Sequence, residues 1–214
     1  MPRSKTNTEI WKNYFDVVIL PPPDVRDYSI DLSARLKKHG VKFVLGRRRY
    51  IPHISLYHIP VRPENFEAFS RGIEKISAAF KGGRLRLTSI ELPLLMTDKP
   101  KWITKLYLDV VNKSKKYFDW DYGSEDRWNL GLLPENLRTR AKGYLHTFGT
   151  PLMGAAFRPH ITLTGFKDRN AVDEIPALPF KSMAFDVEAI HICELGPFHS
   201  CQRIVRKFPV ARPA

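Results

Sequence analysis

Two histidines and two hydroxyls stand out because they recur in one frame. Tyr50-Ile51-Pro52-His53-Ile54-Ser55-Leu56 matches Phe157-Arg158-Pro159-His160-Ile161-Thr162-Leu163, with proline, histidine, isoleucine and leucine identical and Tyr/Phe and Ser/Thr chemically matched. The histidines lie 107 residues apart, half the chain, as a duplicated architecture would place them. Imidazole titrates at about pH 6.5, so one histidine can act as base while the other, protonated, acts as acid. Ser55 and Thr162 can donate hydrogen bonds to phosphate oxygens as charge builds in a transition state. This is an equipment list for phosphodiester cleavage with no metal and no cofactor, and neither motif carries a carboxylate ligand.

The spacing needs a strand to make sense. With a side-chain period of two, Ile54 and Leu56 face a core while His53 and Ser55 face away, their α-carbons roughly 7 Å apart. His160 and Thr162 repeat the pattern opposite Ile161 and Leu163. A pseudo-two-fold between the copies would bring the pairs face to face across a cleft.

Neighbouring residues are weighed on the same period. Tyr57 extends the His53/Ser55 face by one step and is a candidate to bind substrate, stacking on a base or bonding a phosphate. Thr164 holds its place in the second copy and is too small to stack. Arg158 shares the His160 face and is the second substrate-binding candidate, a guanidinium suited to bidentate phosphate contact. Arg47-Arg48-Arg49 and Lys167 are weaker cations of the same kind. His58, five after His53, falls on the opposite face and reads as structural. His39 reads as a helix C-terminal residue, and His146, His191 and His199 lack a partner motif.

The elements that must position these motifs alternate strands with helices. Phe15, Val17 and Ile19 read as a strand stopped by Pro21-Pro22-Pro23. A helix carrying Val25, Tyr28, Leu32 and Leu36 follows and ends at Gly40. Strands are expected at 41–45 and 50–61. Phe66, Phe69, Ile73, Ile76 and Phe80 mark a second helix closed by Gly82-Gly83. Strands are read at 85–92 and, from the alternation of Trp102, Thr104, Leu106, Leu108 and Val110, at 102–111. A third helix runs through Leu137, Ala141, Tyr144, Leu145 and Phe148 to Gly149. Strands near 158–166, 183–192 and 201–208 complete an α+β fold. No GxGxxG or GxxxxGK[ST] loop accompanies a strand-to-helix turn.

Composition sets the class. Hydrophobic residues at 43% and charged residues at 27% describe a globular chain and set aside disorder and coiled coil. A formal charge of +13 favours polyanionic partners. Cys193 and Cys201 form no CxxC pair and are expected to be reduced structural thiols. No apolar run suggests a signal or a membrane span, so a cytoplasmic monomer is the expectation.

The paired His-x-Ser/Thr motifs, His53-Ile54-Ser55-Leu56 and His160-Ile161-Thr162-Leu163, resemble the two-histidine phosphoesterase superfamily, which includes bacterial RNA 2′,3′-cyclic phosphodiesterases once called 2′-5′ RNA ligases. The order of elements extends the resemblance over residues 1–214 as one bilobal domain. The resemblance implies a pseudo-two-fold α+β fold with two antiparallel sheets lining a central cleft and helices outside. It further implies hydrolysis of cyclic phosphates on RNA ends or nucleotides, with one histidine activating water and the other protonating the leaving ribose oxygen. A nucleotide- or RNA-binding module of the same fold and a weak 2′-5′ RNA ligase are the alternatives. Residues 113–147, including Trp120-Asp121-Tyr122 and Trp128, exceed what a minimal member needs and read as an insertion or lid.

Overall fold

The computed structural model describes residues 11–122, 130, 135–168 and 170–211. Among them are β1 (Tyr14–Ile19), α1 (Pro23–Leu36), β2 (Ile54–Pro60), α2 (Phe66–Ala79), β3 (Arg84–Glu91), β4 (Leu94–Thr97), α3 (Lys101–Ser114), α4 (Glu135–Phe148), β5 (His160–Thr162), β6 (Ala184–Asp186), β7 (Ala189–Gly196) and β8 (Ser200–Pro209). The α+β class stands. Trp128, named above with the 113–147 stretch, lies outside the described residues.

The strands form one curled antiparallel sheet in the order β6-β3-β4-β5-β2-β1-β7-β8, where two separate sheets were expected. The reason is local. Ile54 of β2 pairs directly with Ile161 of β5, and this short ladder joins the two halves of the sheet. The motif strands therefore lie side by side at its centre, with three further strands on each side.

Two strand expectations fail on period and on pairing. Residues 101–114 are helix α3, because the positions that bury, Ile103, Leu106, Tyr107, Val110, Val111 and Ser114, recur at three- and four-residue steps. The period-two alternation read from Trp102 is a by-product of dense apolar residues: Thr104 and Leu108 are only half-buried. Residues 41–45 form no ladder beyond one bridge, Val41 to Phe166. Side chains hold them instead: Thr164 Oγ donates to the Phe43 carbonyl at 2.6 Å, and Ser33 Oγ accepts from the Leu45 amide at 2.9 Å.

Helices α1 and α2 close the core face. Val25, Leu32 and Leu36 of α1 and Phe69, Ile73 and Ile76 of α2 are buried against the sheet, as their spacing predicts. Hydrogen bonds fix both helices in register. Ser33 Oγ donates to the Leu163 carbonyl at 2.7 Å, and Ser77 Oγ reaches the Phe208 carbonyl at 2.9 Å. α1 is thus tied to the residue that follows the second motif hydroxyl. Cys193 and Cys201 are buried free thiols.

Burial, with Lys207 and Arg26 adding to it, pushes His191 down to about 4. In the unfolded chain this imidazole takes up a proton as pH falls through about 6.5, whereas the folded protein resists until about 4. Stability therefore falls with acid across that window, by on the order of 3 kcal/mol for this residue. Urea titrations from pH 7 to 4 check this: His191→Gln should lose less stability over the window than the parent. Parallel losses would show that His191 is not a source of acid sensitivity.

Candidate active site

The site is built on the seam where β2 meets β5. Ile54 and Ile161 are wholly buried on the core face. An antiparallel register that pairs them sets His53 opposite Thr162 and Ser55 opposite His160, all four on the other face. The structure thus brings together the four residues the motifs single out, as neighbours on adjacent strands. All four are half-buried, open enough to meet a ligand.

Both imidazoles are held in the same way. His53 Nδ1 lies 2.7 Å from the Ile51 carbonyl, and His160 Nδ1 lies 2.6 Å from the Arg158 carbonyl, each two residues upstream. A carbonyl can only accept, so each Nδ1 carries a hydrogen and each Nε2 is the nitrogen left to gain or lose a proton. The intervening prolines, Pro52 and Pro159, have no amide hydrogen and pre-set the backbone that makes this contact.

A β-bulge then changes which residues follow. Val18 pairs with Ser55 but Val17 pairs with Tyr57, so Leu56 is the extra residue and the faces exchange beyond it. Tyr57 turns into the core, 2% exposed, and its hydroxyl donates to the Phe148 carbonyl at 2.6 Å. Burial raises its phenol far above the ordinary value. The expectation that Tyr57 lines the His53 face is therefore corrected. Thr164 turns inward in the same way, onto the Phe43 carbonyl, so both copies share the burial rhythm from motif histidine through the fifth residue after it. Tyr57→Phe should cost about 1 kcal/mol of stability and leave any chemistry at the His53/His160 face unchanged. A rise in KM would return Tyr57 to the substrate.

The bulge also brings His58 onto the site face, against expectation, and opposite it stands a residue the motifs do not announce. Asp16 pairs with His58 across β1 and β2 and is wholly buried. Its Oδ2 lies 2.6 Å from Ser55 Oγ, 3.1 Å from His58 Nε2 and 3.5 Å from His53 Nε2. The visible signal was a lone charged residue inside the otherwise apolar strand of Tyr14–Ile19. The second copy has Gly165 where the first has His58.

Charge follows this asymmetry. Burial by itself would raise the Asp16 carboxyl, but His58, by charge and hydrogen bond, together with His53 and Ser55 outweighs it and holds the group below the usual carboxylate range. Burial pushes His53 and His160 below the ordinary imidazole value. At His53 the Asp16 charge and the Ile51 carbonyl oppose that fall. At His160 only the Arg158 carbonyl opposes it, and the charges of His53, Arg158 and His58 deepen it.

Around this centre, Arg158 lies exposed beside the His160 face, and its guanidinium is paired with Glu91 and lies near Met96 Sδ. Arg47 is paired with Asp27, and Arg49 donates to Gln202. On the His58 side Trp11, Tyr14, Tyr122 and His199 form a ring cluster, with His58 and His199 5.2 Å apart. The described part of 113–147 packs onto the body: Phe118 bridges to Val61, and Tyr122 donates to the Lys12 carbonyl. Among the described residues no group of three or more His, Cys, Asp or Glu is arranged to hold a metal, and no helix is long and apolar enough to cross a membrane.

No protein-family model and no curated protein sequence matches the chain. Solved structures do. TT0787 of Thermus thermophilus superposes with a TM-score of 0.57 at 16% identity, covering 94% of this chain and 100% of that one. A structure described as a phosphoesterase gives 0.55 at 13%, covering 94% and 99%. E. coli LigT complexed with 3′-AMP gives 0.51 at 13%, again covering 94% and 99%. LigT has also been crystallised with NADP+. At these identities the likeness speaks for the fold, and it spans nearly the whole of both chains. The chain therefore shares the fold of TT0787 and of LigT over nearly its whole length.

Proposed function

We propose that this chain is a metal-independent phosphodiesterase that hydrolyses 2′,3′-cyclic phosphates, or closely related phosphodiesters, on RNA ends or nucleotides. One observation carries the reading: two imidazoles on adjacent central strands, each locked through Nδ1 to the carbonyl two residues before it, with Nε2 left for proton transfer. A binding module has no use for that repeated lock. The phosphoesterase fold, the nucleotides seen with LigT and the charge of +13 point to the same class of substrate.

In the reaction, water adds across a phosphorus–oxygen bond of the cyclic ester. One Nε2 takes a proton from the attacking water, and the other gives one to the departing ribose oxygen. Ser55 and Thr162 face the same space and can bond the non-bridging oxygens. They are not equivalent, since Ser55 donates to Asp16 whereas nothing comparable engages Thr162 among the described residues. Arg158 can leave Glu91 for a phosphate at little cost, an exposed ion pair being worth about 1 kcal/mol or less. Thr162→Ala should accordingly lower kcat by up to about a hundredfold with KM little changed, and by more than Ser55→Ala does. Equal effects would make the two hydroxyls interchangeable.

The test is a panel of the four nucleoside 2′,3′-cyclic monophosphates followed by phosphorus NMR. Ring opening to a single 2′- or 3′-monophosphate is the expected result. Tight binding of the monophosphates with no ring opening would favour the nucleotide-binding reading. Joining of RNA ends without ring opening would favour the ligase reading.

A further inference from the structure

We infer that Asp16, with His58, is a positioning pair that fixes the direction of proton transfer: it makes His53 the general acid and leaves His160 as the general base. The inference rests on the phosphodiesterase reading above and adds what the duplicated motif alone leaves open, namely which histidine does which.

The geometry is one-sided. A wholly buried carboxylate faces His53 Nε2 at 3.5 Å, and no described carboxylate takes that place at His160. A contact of 3.5 Å is an ion-pair distance rather than a strong hydrogen bond, so Asp16 favours the protonated imidazole without holding its proton fast. His58 Nε2 and Ser55 Oγ fill the closer positions around the same oxygen, which keeps the carboxylate where it is. Asp16 Oδ1 is buried with no hydrogen-bond partner among the described residues, so His58 and Ser55 satisfy only one of the two carboxylate oxygens. A desolvated carboxylate in that condition acts strongly on any nearby imidazole.

A nucleophilic mechanism fails on the same geometry. Ser55, His58 and Asp16 are not a nucleophilic triad, because Ser55 Oγ and Asp16 Oδ2 both meet His58 at Nε2, whereas a relay needs one on each ring nitrogen. The second copy has no equivalent pair, since Gly165 stands at the His58 position and Thr164 buries its hydroxyl.

The step then balances. His160 Nε2 accepts a proton from water as its oxygen bonds to phosphorus, and the bond from phosphorus to the leaving ribose oxygen breaks. His53 Nε2 gives its proton to that oxygen. Exchange with solvent returns His160 to neutral and His53 to the cation beside Asp16. The groups around His53 are Asp16 from β1, Ser55 and His58 from β2 and His160 from β5, with His199 beyond His58 at the β7–β8 turn.

A leaving group that needs no proton separates the two roles. Wild type, His53→Ala, His160→Ala and Asp16→Asn are assayed on a nucleoside 2′,3′-cyclic phosphate and on thymidine 5′-(4-nitrophenyl phosphate), whose nitrophenolate departs unaided. His53→Ala and Asp16→Asn should be impaired on the cyclic ester and within about threefold of wild type on the nitrophenyl ester, while His160→Ala is impaired on both. The pH profile on the cyclic ester is the second readout. In Asp16→Asn the alkaline limb should move down by about one unit with the acid limb unmoved, a change that mere loosening of the fold does not produce. Recovery of His160→Ala instead of His53→Ala on the nitrophenyl ester, or an alkaline limb that stays in place, overturns the assignment while the parent reading survives. A wild-type protein inert on both esters overturns the parent reading and this one with it.

Discussion

Replacing either motif histidine with alanine is expected to lower turnover of a nucleoside 2′,3′-cyclic phosphate by about a hundredfold or more, the usual scale for losing one acid–base partner. Each imidazole is half-buried at the centre of the sheet, and each makes its Nδ1 contact with a backbone carbonyl rather than with core side chains. The variants should therefore stay folded, which circular dichroism checks. The double variant should lose far less than the product of the two single losses. Once one partner is gone, the concerted transfer is already lost and the other has little left to contribute. A single variant that retains full turnover would remove that histidine from the mechanism. Losses that multiply would mean that the two imidazoles act in separate steps.

The opposite face of the same strands should respond in stability rather than in rate. Ile54 and Ile161 are fully buried and form the single pair that joins the halves of the sheet. Truncating either to alanine removes buried methyl and methylene groups from a packed interior and leaves a cavity, at a cost of about 2–5 kcal/mol. Denaturant unfolding measures it. Thr162, one residue from Ile161, should cost no more than about 1 kcal/mol when truncated. Should the isoleucine variants unfold at the wild-type midpoint, the β2–β5 seam would not be the structural join described above.

The sequence made the centre of this site legible because its information is local. A repeated Pro-His-Ile-Ser/Thr-Leu frame needs only the strand period to place four side chains on one face, and the structure sets His53, Ser55, His160 and Thr162 there. Tyr57 and His58 were misplaced by the same period, since nothing local marks Leu56 as a bulge; the extra residue exists only relative to β1. Asp16 could have been flagged as the one charge in an apolar strand, but its partners lie 37 to 42 residues on and meet it only when the strands pair. Arg158 keeps its predicted face, although Glu91, which pairs with it, comes from β3. At the level of the fold, amphipathic helices such as α2 read clearly. Residues 101–114 did not, because dense apolar residues satisfy both periods and the buried stripe decides between them. The single sheet followed from one pair, Ile54 with Ile161, that no local pattern announces.

The proposed mechanism stands on two imidazoles alone supplying the proton transfers. Turnover of a nucleoside 2′,3′-cyclic phosphate, by protein stripped with EDTA and assayed in EDTA across pH 5 to 8, tests this without intermediaries. The same rate as untreated protein and a bell-shaped profile are expected. A rate that disappears on chelation and returns with a divalent metal would refute it.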